Sequence, residues 1–136
     1  MKNATFELKK AIYTRLTSGT PIGWKVYDDV PVGASLPYVE IGEAIATDWS
    51  QKGQPGQSIL ITFHLWSDIH SQKEADMMAD GVTQSLTVTN SKTPSAITIT
   101  GFNNIYSEQD SYRSIKDPDG ETRHGILDIR FLVQEA

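Results

Sequence analysis

The sequence predicts an α+β fold in which two helices pack against a mainly antiparallel sheet, in the order helix, three strands, helix, three strands. Two segments carry apolar residues at helical spacing, and several others alternate apolar and polar residues as half-buried strands do. The strands come in groups and do not alternate singly with helices, which favours antiparallel pairing. With 136 residues, the chain has the length of one domain spanning 1–136.

The first helix is expected over residues 4–18, with Asn3 or Thr5 as its cap. Phe6 and Tyr13 lie seven residues apart and are expected to broaden the apolar stripe of this helix. The stripe itself follows i, i+3, i+4 spacing. It consists of Leu8, Ala11, Ile12 and Leu16.

Short strands are expected over residues 24–27 and 37–43, and the strongest strand over residues 58–66. Between the second and third strands, residues 44–57 form a linker that is long for a compact domain, and it is expected to be a loop that becomes flexible after Trp49. Alternation in the third strand predicts which side chains face the core. They are Ile59, Ile61, Phe63 and Leu65.

Ser71 and Glu74 have the spacing of a capping box and predict the start of the second helix. One face of that helix is expected to carry Ala75, Met78, Ala79, Val82 and Leu86. A polar loop over residues 87–96 then leads to strands over residues 97–100, 104–115 and 122–134. The last two are expected to form a hairpin, because residues 117–120 read Asp-Pro-Asp-Gly, a turn sequence. The return strand is expected to direct Leu127, Ile129, Phe131 and Val133 to one face.

The composition restricts the classes of function. Hydrophobic residues make up 38% and charged residues 21%, so the chain should fold rather than remain disordered. A net charge of −5 speaks against unaided binding to the nucleic-acid backbone. The absence of cysteine removes disulfides and thiolate chemistry and fits a reducing cytosol. Neither a signal peptide nor a membrane span is expected.

The residue types of a metal or acid-base site occur without a suitable spacing. We interpret the histidines as ordinary surface or partly buried residues, and the adjacent Asp28 and Asp29 as turn formers. Residues 117–121 lack the alternating oxygen ligands of a calcium loop. No phosphate loop, nucleophile elbow or zinc motif is present, so no catalytic residue, metal or cofactor is predicted. The histidines and aspartates considered for such a site are His64, His70, His124, Asp48, Asp68 and Asp128.

Aromatic residues and rigid loops are better candidates for contact with partners. Trp24 and Trp66 lie in predicted strands and are interpreted as core or sheet-face residues, whereas Trp49 in the long linker is assigned to an interface. The loop before the second strand is made rigid by its two prolines. The candidate interface residues of both segments are Asp28, Asp29, Pro31, Leu36, Pro37, Ile45, Asp48 and Trp49.

These features occur in an order that resembles one family, the tail completion or tail terminator proteins of long-tailed bacteriophages and prophages. The resemblance covers nearly the whole chain. It rests on residues 26–28, 30–31 and 36–43, on Thr-Asp-Trp-Ser at 47–50, on His-Leu-Trp-Ser at 64–67, on the second helix and on residues 117–127.

The resemblance implies a structural virion protein that assembles in the host cytoplasm and forms a hexameric ring at the head-proximal end of the tail tube. The ring would end tube polymerisation and join the tail to the head. Its implied partners are copies of itself, the major tail tube protein and the head-tail connector or stopper protein. Genomic DNA would pass through without specific binding, and no membrane would be involved.

Two other functions stay open at this point. One is another ring-forming component of the same virion, such as a head-tail connector subunit or a tail tube protein. The other, from a different class, is a small metal-dependent hydrolase built around His64 and Asp128. A tube protein should polymerise alone, a terminator should stop at one ring, and a hydrolase should lose its function when both residues are replaced.

Overall fold

The described part of the chain forms a five-stranded sheet and two α-helices, which confirms the predicted α+β class. The structure, a computed structural model, describes residues 2–19, 22–68, 72–87, 97–116, 118 and 122–136. The helices are α1 (Thr5–Thr14), which continues as a π-helical turn over Arg15–Gly19, and α2 (Lys73–Leu86). The strands are β1 (Lys25–Tyr27), β2 (Tyr38–Asp48), β3 (Gly56–Ser67), β4 (Phe102–Lys116) and β5 (Arg123–Glu135).

The sheet is mainly antiparallel, as predicted. Its strand order is β1-β2-β3-β5-β4, and β1 pairs in parallel with β2 while the other neighbours are antiparallel. The central strands β3 and β5 pair without interruption from Gly56–Gln134 to Ser67–Arg123. Their long regular register makes the middle of the sheet the rigid frame on which the surfaces of the molecule are placed.

One face of the sheet and both helices enclose the core. The π-helical turn after α1 contacts β1, α1 contacts β2, and α2 lies across β3, β5 and β4. Phe63 and Phe131 are fully buried in the core. Burial of each of these side chains contributes about 1.5–3 kcal/mol of hydrophobic stabilisation. The predicted inward positions of β3, β5 and α2 are confirmed. They are Ile59, Ile61, Phe63, Leu65, Leu127, Ile129, Phe131, Val133, Ala75, Met78, Ala79, Val82 and Leu86.

The prediction for the apolar stripe of α1 was only partly right. Leu8, Ile12 and Leu16 are buried, but Phe6 is 73% exposed and Tyr13 46% exposed. At 100° per residue, these two aromatics project roughly a third of a turn away from the centre of the stripe. The sheet covers only one side of α1, so Phe6 and Tyr13 remain in solvent.

The prediction of a long loop over residues 44–57 was wrong. β2 continues to Asp48 and β3 begins at Gly56, so only a short ordered hairpin connects them. Gln51 and Gln54 exchange backbone hydrogen bonds of 2.9 and 2.8 Å across a turn in which Gly53 has φ +78°. A β-bulge between Ile41 and Ala44 resets the register, which places the extra half of β2 against β3.

Differences elsewhere are local. Residues 97–100 form no strand, and Ile99 makes only an isolated bridge to Phe102, so two strands follow α2 where three were expected. At the start of α2, Ser71 lies outside the described residues, and the Glu74 carboxylate accepts a hydrogen bond of 2.6 Å from the Ser67 hydroxyl. The predicted loop beyond Thr87 and the turn over residues 117–120, apart from Pro118, also lie outside the described residues.

The first helix starts near its predicted cap. The Thr5 backbone N–H donates to Asn3 Oδ1 at 2.9 Å, which satisfies one of the free N–H groups at the helix start. No helix in the described part of the chain is both long and apolar enough to cross a membrane.

Candidate assembly surfaces

The outer face of the sheet, opposite the helices, carries polar and aromatic side chains. Among them are residues considered above for a metal or acid-base site. Leu60, Thr62, His64 and Trp66 alternate with the buried positions of β3 and are half-exposed, as predicted. Because β3 and β5 are in continuous register, His64 and Trp66 lie beside the side chains of β5, including His124. The register between β3 and β5 therefore brings two of the three histidines together.

His64 and His124 form the centre of a hydrogen-bonded cluster on this face. His64 Nδ1 lies 2.8 Å from His124 Nε2, and one of these ring nitrogens donates to the other. The second ring nitrogen of His64, Nε2, lies 3.0 Å from the Glu43 carboxylate. Trp66 stacks on His124 with ring centroids 3.8 Å apart, and its Nε1 donates to Glu40 at 3.3 Å. The cluster thus ties β2, β3 and β5 together on the solvent side.

The electrostatics of the cluster follow from these contacts. A backbone hydrogen bond, and next the hydrogen bond from His64, lower the pKa of Glu43. His64 reaches Glu43 because Gly42 has no side chain: a Cβ at Gly42 would lie 2.8 Å from His64 Cδ2. The bulge next to Gly42 and the missing side chain therefore position this contact.

The arrangement does not form a catalytic dyad from His64 and Asp128. In the sheet, Asp128 is opposite Thr62, whereas His64 is opposite Ile126. The Asp128 carboxylate accepts hydrogen bonds from Thr62 at 2.5 Å and from Ser111 at 2.9 Å. Both ring nitrogens of His64 are engaged by other partners. The two residues that the hydrolase alternative requires hence serve separate hydrogen-bond networks.

The other chemically interesting residues do not converge either. Asp48 accepts a hydrogen bond of 2.7 Å from Ser50, Asp68 is exposed after β3, and His70 lies outside the described residues. No group of three or more histidines, aspartates or glutamates able to hold a metal ion occurs in the ranges that the structure describes.

The first candidate interface segment is the loop from Asp28 to Pro37, which joins the parallel strands β1 and β2. Gly33 has φ +83°, and Ala34 N–H donates to the Pro31 carbonyl at 3.1 Å, so the chain reverses at this glycine. The peptide bond before Pro37 is cis. Asp28, Asp29 and Pro31 are exposed, Leu36 and Pro37 are half-buried, and Val32 at the tip is fully exposed.

The second candidate segment combines the end of β2 with its hairpin. Ile45 is 61% exposed and Asp48 is exposed, so both are available for contact. Trp49 is half-buried, and its backbone N–H donates to the Gly56 carbonyl at 3.0 Å. Trp49 therefore closes the hairpin as well as presenting part of its ring to solvent.

The structure separates the two segments. At one end of the sheet Tyr38 pairs with Trp66, and at the other end Asp48 pairs with Gln57. The eleven residues of β2 from Tyr38 to Asp48 span about 30 Å. Pro37 and Trp49 consequently lie at opposite ends of one rigid sheet, an arrangement that sequence reasoning left undetermined.

Several exposed apolar residues were missed by the sequence analysis. Besides Phe6 and Tyr13 they include Ile105, Tyr106 and Ile115 on the edge strand β4. Two signals could have identified them. Phe6 and Tyr13 lie off the apolar stripe when plotted on a helical wheel, and the apolar residues of β4 do not alternate as a strand with one buried face requires.

Comparison with known proteins places the chain in a family. The model of the family described as "Tail completion protein gp17" matches residues 10–134. A relative, the tail completion protein gp17 of Bacillus phage SPP1, is 30% identical over 135 residues, covering 97% of this chain and 96% of the relative. A chain from the virion of a native gene transfer agent particle has the same fold, with a TM-score of 0.83 at 19% identity, covering 98% of this chain and 99% of that one. The chain therefore belongs to the tail completion protein gp17 family, the structural proteins of bacteriophage tails that its sequence pattern resembles.

Proposed function

We propose that this protein forms a hexameric ring at the head-proximal end of the phage tail tube, where it ends tube polymerisation and joins the tail to the head connector. The observation that carries the proposal is the family match over residues 10–134. The number of copies is an expectation from the family resemblance.

The geometry of the protomer supports this role. A terminating ring must bind the last ring of the tube on one side and present a different surface to the connector on the other. The loop with Asp28, Asp29, Pro31, Leu36 and Pro37 and the segment with Ile45, Asp48 and Trp49 belong to regions at opposite ends of β2. We assign these eight residues to contacts with neighbouring subunits, tube and connector.

In this proposal the protein is a structural component of the virion and not an enzyme. The residues of the hydrolase alternative, His64 and Asp128, are held in separate networks of the outer sheet face, which supports this assignment. Six copies of a chain of net charge −5 carry about −30, so a lumen with that sign lets DNA slide. The ring resides in the virion after assembly in the host cytoplasm, without a membrane partner.

The test is to mix the purified protein with tail tubes assembled in its absence and to image them by electron microscopy. One ring at a single end of each tube is the expected result. Val32→Asp should weaken capping while leaving the fold intact, because Val32 is fully exposed at the tip of its loop. Trp49→Ala should also weaken capping, and circular dichroism separates lost contact from lost folding.

Gln72→Asp is the matched control, since it introduces the same charge at an exposed residue at the start of α2. Capping should be unchanged in this variant. Rings bound along the tube or at the far end, or open-ended polymers of the protein alone, would contradict the proposal and favour a tube component. Unchanged capping and infectivity in both Val32→Asp and Trp49→Ala would contradict the assignment of these two segments to contacts with partners.

A further inference from the structure

The cluster on the outer face of the sheet contains a direct contact between two titratable rings, which the proposed function does not use. His64 Nδ1 lies 2.8 Å from His124 Nε2, and the ring centroids are 5.0 Å apart. The side chain of His64 is 19% exposed, so protons reach it from solvent. Imidazole is the side chain that normally changes charge between about pH 5 and 8. The pair is therefore a place where the fold can respond to pH.

The partners of His64 determine the direction of both hydrogen bonds. The Glu43 carboxylate, 3.0 Å from His64 Nε2, can only accept, so Nε2 of His64 carries a proton. A backbone hydrogen bond, and next the hydrogen bond from His64, lower the pKa of Glu43, which keeps this carboxylate ionised where histidines titrate. In neutral His64 the other nitrogen, Nδ1, has no proton and must accept. His124 Nε2 is then the donor, so both neutral rings carry their proton on Nε2.

One added proton reverses the contact but does not break it. If His64 takes up the proton, its Nδ1 becomes the donor, and His124 accepts once its own proton is on Nδ1. If His124 takes it up, its Nε2 donates as before. A second added proton leaves an N–H on both contacting atoms, so neither can accept, and two positive rings repel each other. The hydrogen bond therefore exists only while the pair holds at most one added proton.

Each ring also has a partner that suits its charged form. His64 Nε2 already contacts Glu43, and a positive ring strengthens this hydrogen bond. His124 lies against the face of Trp66 with ring centroids 3.8 Å apart, an arrangement that favours a cation. Trp66 in turn donates to Glu40. Two protonated rings are consequently held by β2 and by Trp66 after they separate from each other.

The backbone beneath the pair does not depend on the contact between the rings. β3 and β5 pair continuously from Gly56–Gln134 to Ser67–Arg123, a range that includes both histidines. Loss of the side-chain contact therefore leaves the strand pairing intact.

Charged groups of both signs surround the pair in the described part of the chain. Carboxylates on β2, on β5 and just after β3 favour protonation of the rings, and they are Glu40, Glu43, Asp128 and Asp68. Cations on β4, on β5 and on α1 oppose it, and they are Arg113, Lys116, Arg123 and Lys9. The relevant comparison is between pH 8 and pH 5, the range over which imidazole groups change charge.

We propose that His64 and His124 form a pH-sensitive clasp between β3 and β5 on the outer face of the sheet. The clasp is closed while the rings share a hydrogen bond, and it opens when both rings are protonated. The patch that they form with Glu40 and Glu43 then changes from a charge of about −2 to about zero, because two positive rings join two carboxylates. The clasp thus controls the charge of an exposed surface, and it does not depend on the proposed ring.

Nitrogen-15 NMR of the histidine rings tests the closed form in the unmodified protein. At pH 8 both rings should be in the Nε2–H tautomer, as the directions of the two hydrogen bonds require. An Nδ1–H tautomer of His64 at this pH would overturn the inference, because Nε2 could then not donate to Glu43.

Opening is measured on the same sample by nuclear Overhauser contacts. Contacts between the two rings should be lost by pH 5, while contacts between the backbones of β3 and β5 remain. Contacts between the rings that persist after both are doubly protonated would overturn the clasp. Simultaneous loss of the backbone contacts would overturn it as well, since the sheet itself would then be the part that opens.

His124→Gln should produce a clasp that stays closed at every pH. A side-chain amide at this position can donate to His64 Nδ1 or, after turning over, accept from it. Between pH 8 and pH 5 the ratio of folded to unfolded chains should fall about fivefold more in the unmodified protein than in this variant, because only the former loses a hydrogen bond. Urea denaturation at both pH values measures the ratios, and an equal fall in the two proteins would overturn the inference.

Asp110→Asn is the matched control, because it removes an exposed ionisable group of β4 and leaves the pair intact. It should keep the pH dependence of the unmodified protein. Loss of that dependence in the control, as in His124→Gln, would overturn its assignment to the two histidines. The NMR measurements use the unmodified protein and so decide the question even where a variant fails to fold.

Discussion

Gly56 leaves no room for a side chain at the start of β3. A Cβ there would lie 2.7 Å from the carbonyl oxygen of Trp49 and 3.0 Å from that of Val133. Both are backbone atoms, one in the hairpin after β2 and one in β5, and cannot rotate away. We expect Gly56→Ala to lower the free energy of unfolding by about 1–3 kcal/mol, measured by urea denaturation.

Lys52→Ala, on the exposed turn nearby, is the control and should change the free energy of unfolding by less than about 0.5 kcal/mol. Equal stability of the Gly56→Ala variant would show that the hairpin is looser than described.

Tyr112 links the edge strand to α2 and gives the stability a dependence on alkaline pH. Its hydroxyl donates to Asp76 Oδ1 at 2.6 Å, and its ring covers Gly125, whose missing Cβ would lie 3.2 Å from Tyr112 Cε1. Burial, and next the hydrogen bond to Asp76, raise the pKa of Tyr112 well above its usual value. Below the usual tyrosine pKa of about 10, the folded and unfolded chains both keep the proton. Above it the unfolded chain loses the proton first, so stability falls as pH rises.

Tyr112→Phe should remove this contribution. At neutral pH the variant should be less stable by about 1 kcal/mol, because the hydrogen bond to Asp76 is lost. The difference between the two proteins should shrink as the pH rises through 10 and beyond. Urea denaturation at a series of pH values measures it, and a constant difference up to pH 11 would contradict the assignment.

Among the elements, α2 depends on other parts of the chain to satisfy its C-terminal carbonyl groups. The Ser107 hydroxyl of β4 donates to the Leu86 carbonyl at 2.6 Å, and Arg15 Nε donates to the Ser85 carbonyl at 3.1 Å. Ser107 is buried. The end of α2 is consequently fixed by a strand and by the π-helical turn after α1.

Ser107→Ala should leave the Leu86 carbonyl without this buried donor. We expect a loss of about 1–3 kcal/mol in the free energy of unfolding, measured by thermal or urea denaturation. Ser18→Ala is the matched control, because it removes an exposed hydroxyl that donates to a helical carbonyl. A loss no greater than in the control would mean that water replaces Ser107 at the end of α2.

The elements that the sequence predicted well are those with strong internal patterns. β3 from Ile59 to Leu65 and β5 from Leu127 to Val133 alternate without a break, and each buried position in these stretches carries a large aliphatic or aromatic side chain. The second half of β2 reads Ala-Ile-Ala-Thr-Asp, in which small and polar residues hide the alternation. It becomes a strand because β3 offers a partner across the hairpin, and the bulge at Ile41 and Ala44 adjusts the register. The candidate interface residues could be named one by one, but their distribution over two ends of the sheet could not.

At the scale of the whole molecule, the charge predicts how a ring would treat DNA. The chain carries 17 acidic and 12 basic residues. A ring built from it should not retain double-stranded DNA at physiological salt, because binding requires clustered basic residues that release counterions. A gel-shift assay with the assembled ring measures this. Retention of DNA at micromolar protein that weakens steeply with salt would instead indicate a basic lumen.

The sequence by itself determined the fold class, the two helices, the buried faces of β3 and β5 and the resemblance to the tail completion family. These features depend on local periodicity and on the order of short motifs, which are written along the chain. The tertiary structure decided the features that depend on pairing between distant segments. Register across β3 and β5 joined His64 to His124 and kept Asp128 apart from His64, and the one-sided cover of α1 left Phe6 exposed. Among the described residues, strand order places β1 and β4 at the two edges of the sheet, because which strand lies outermost depends on long-range pairing and has no local signal.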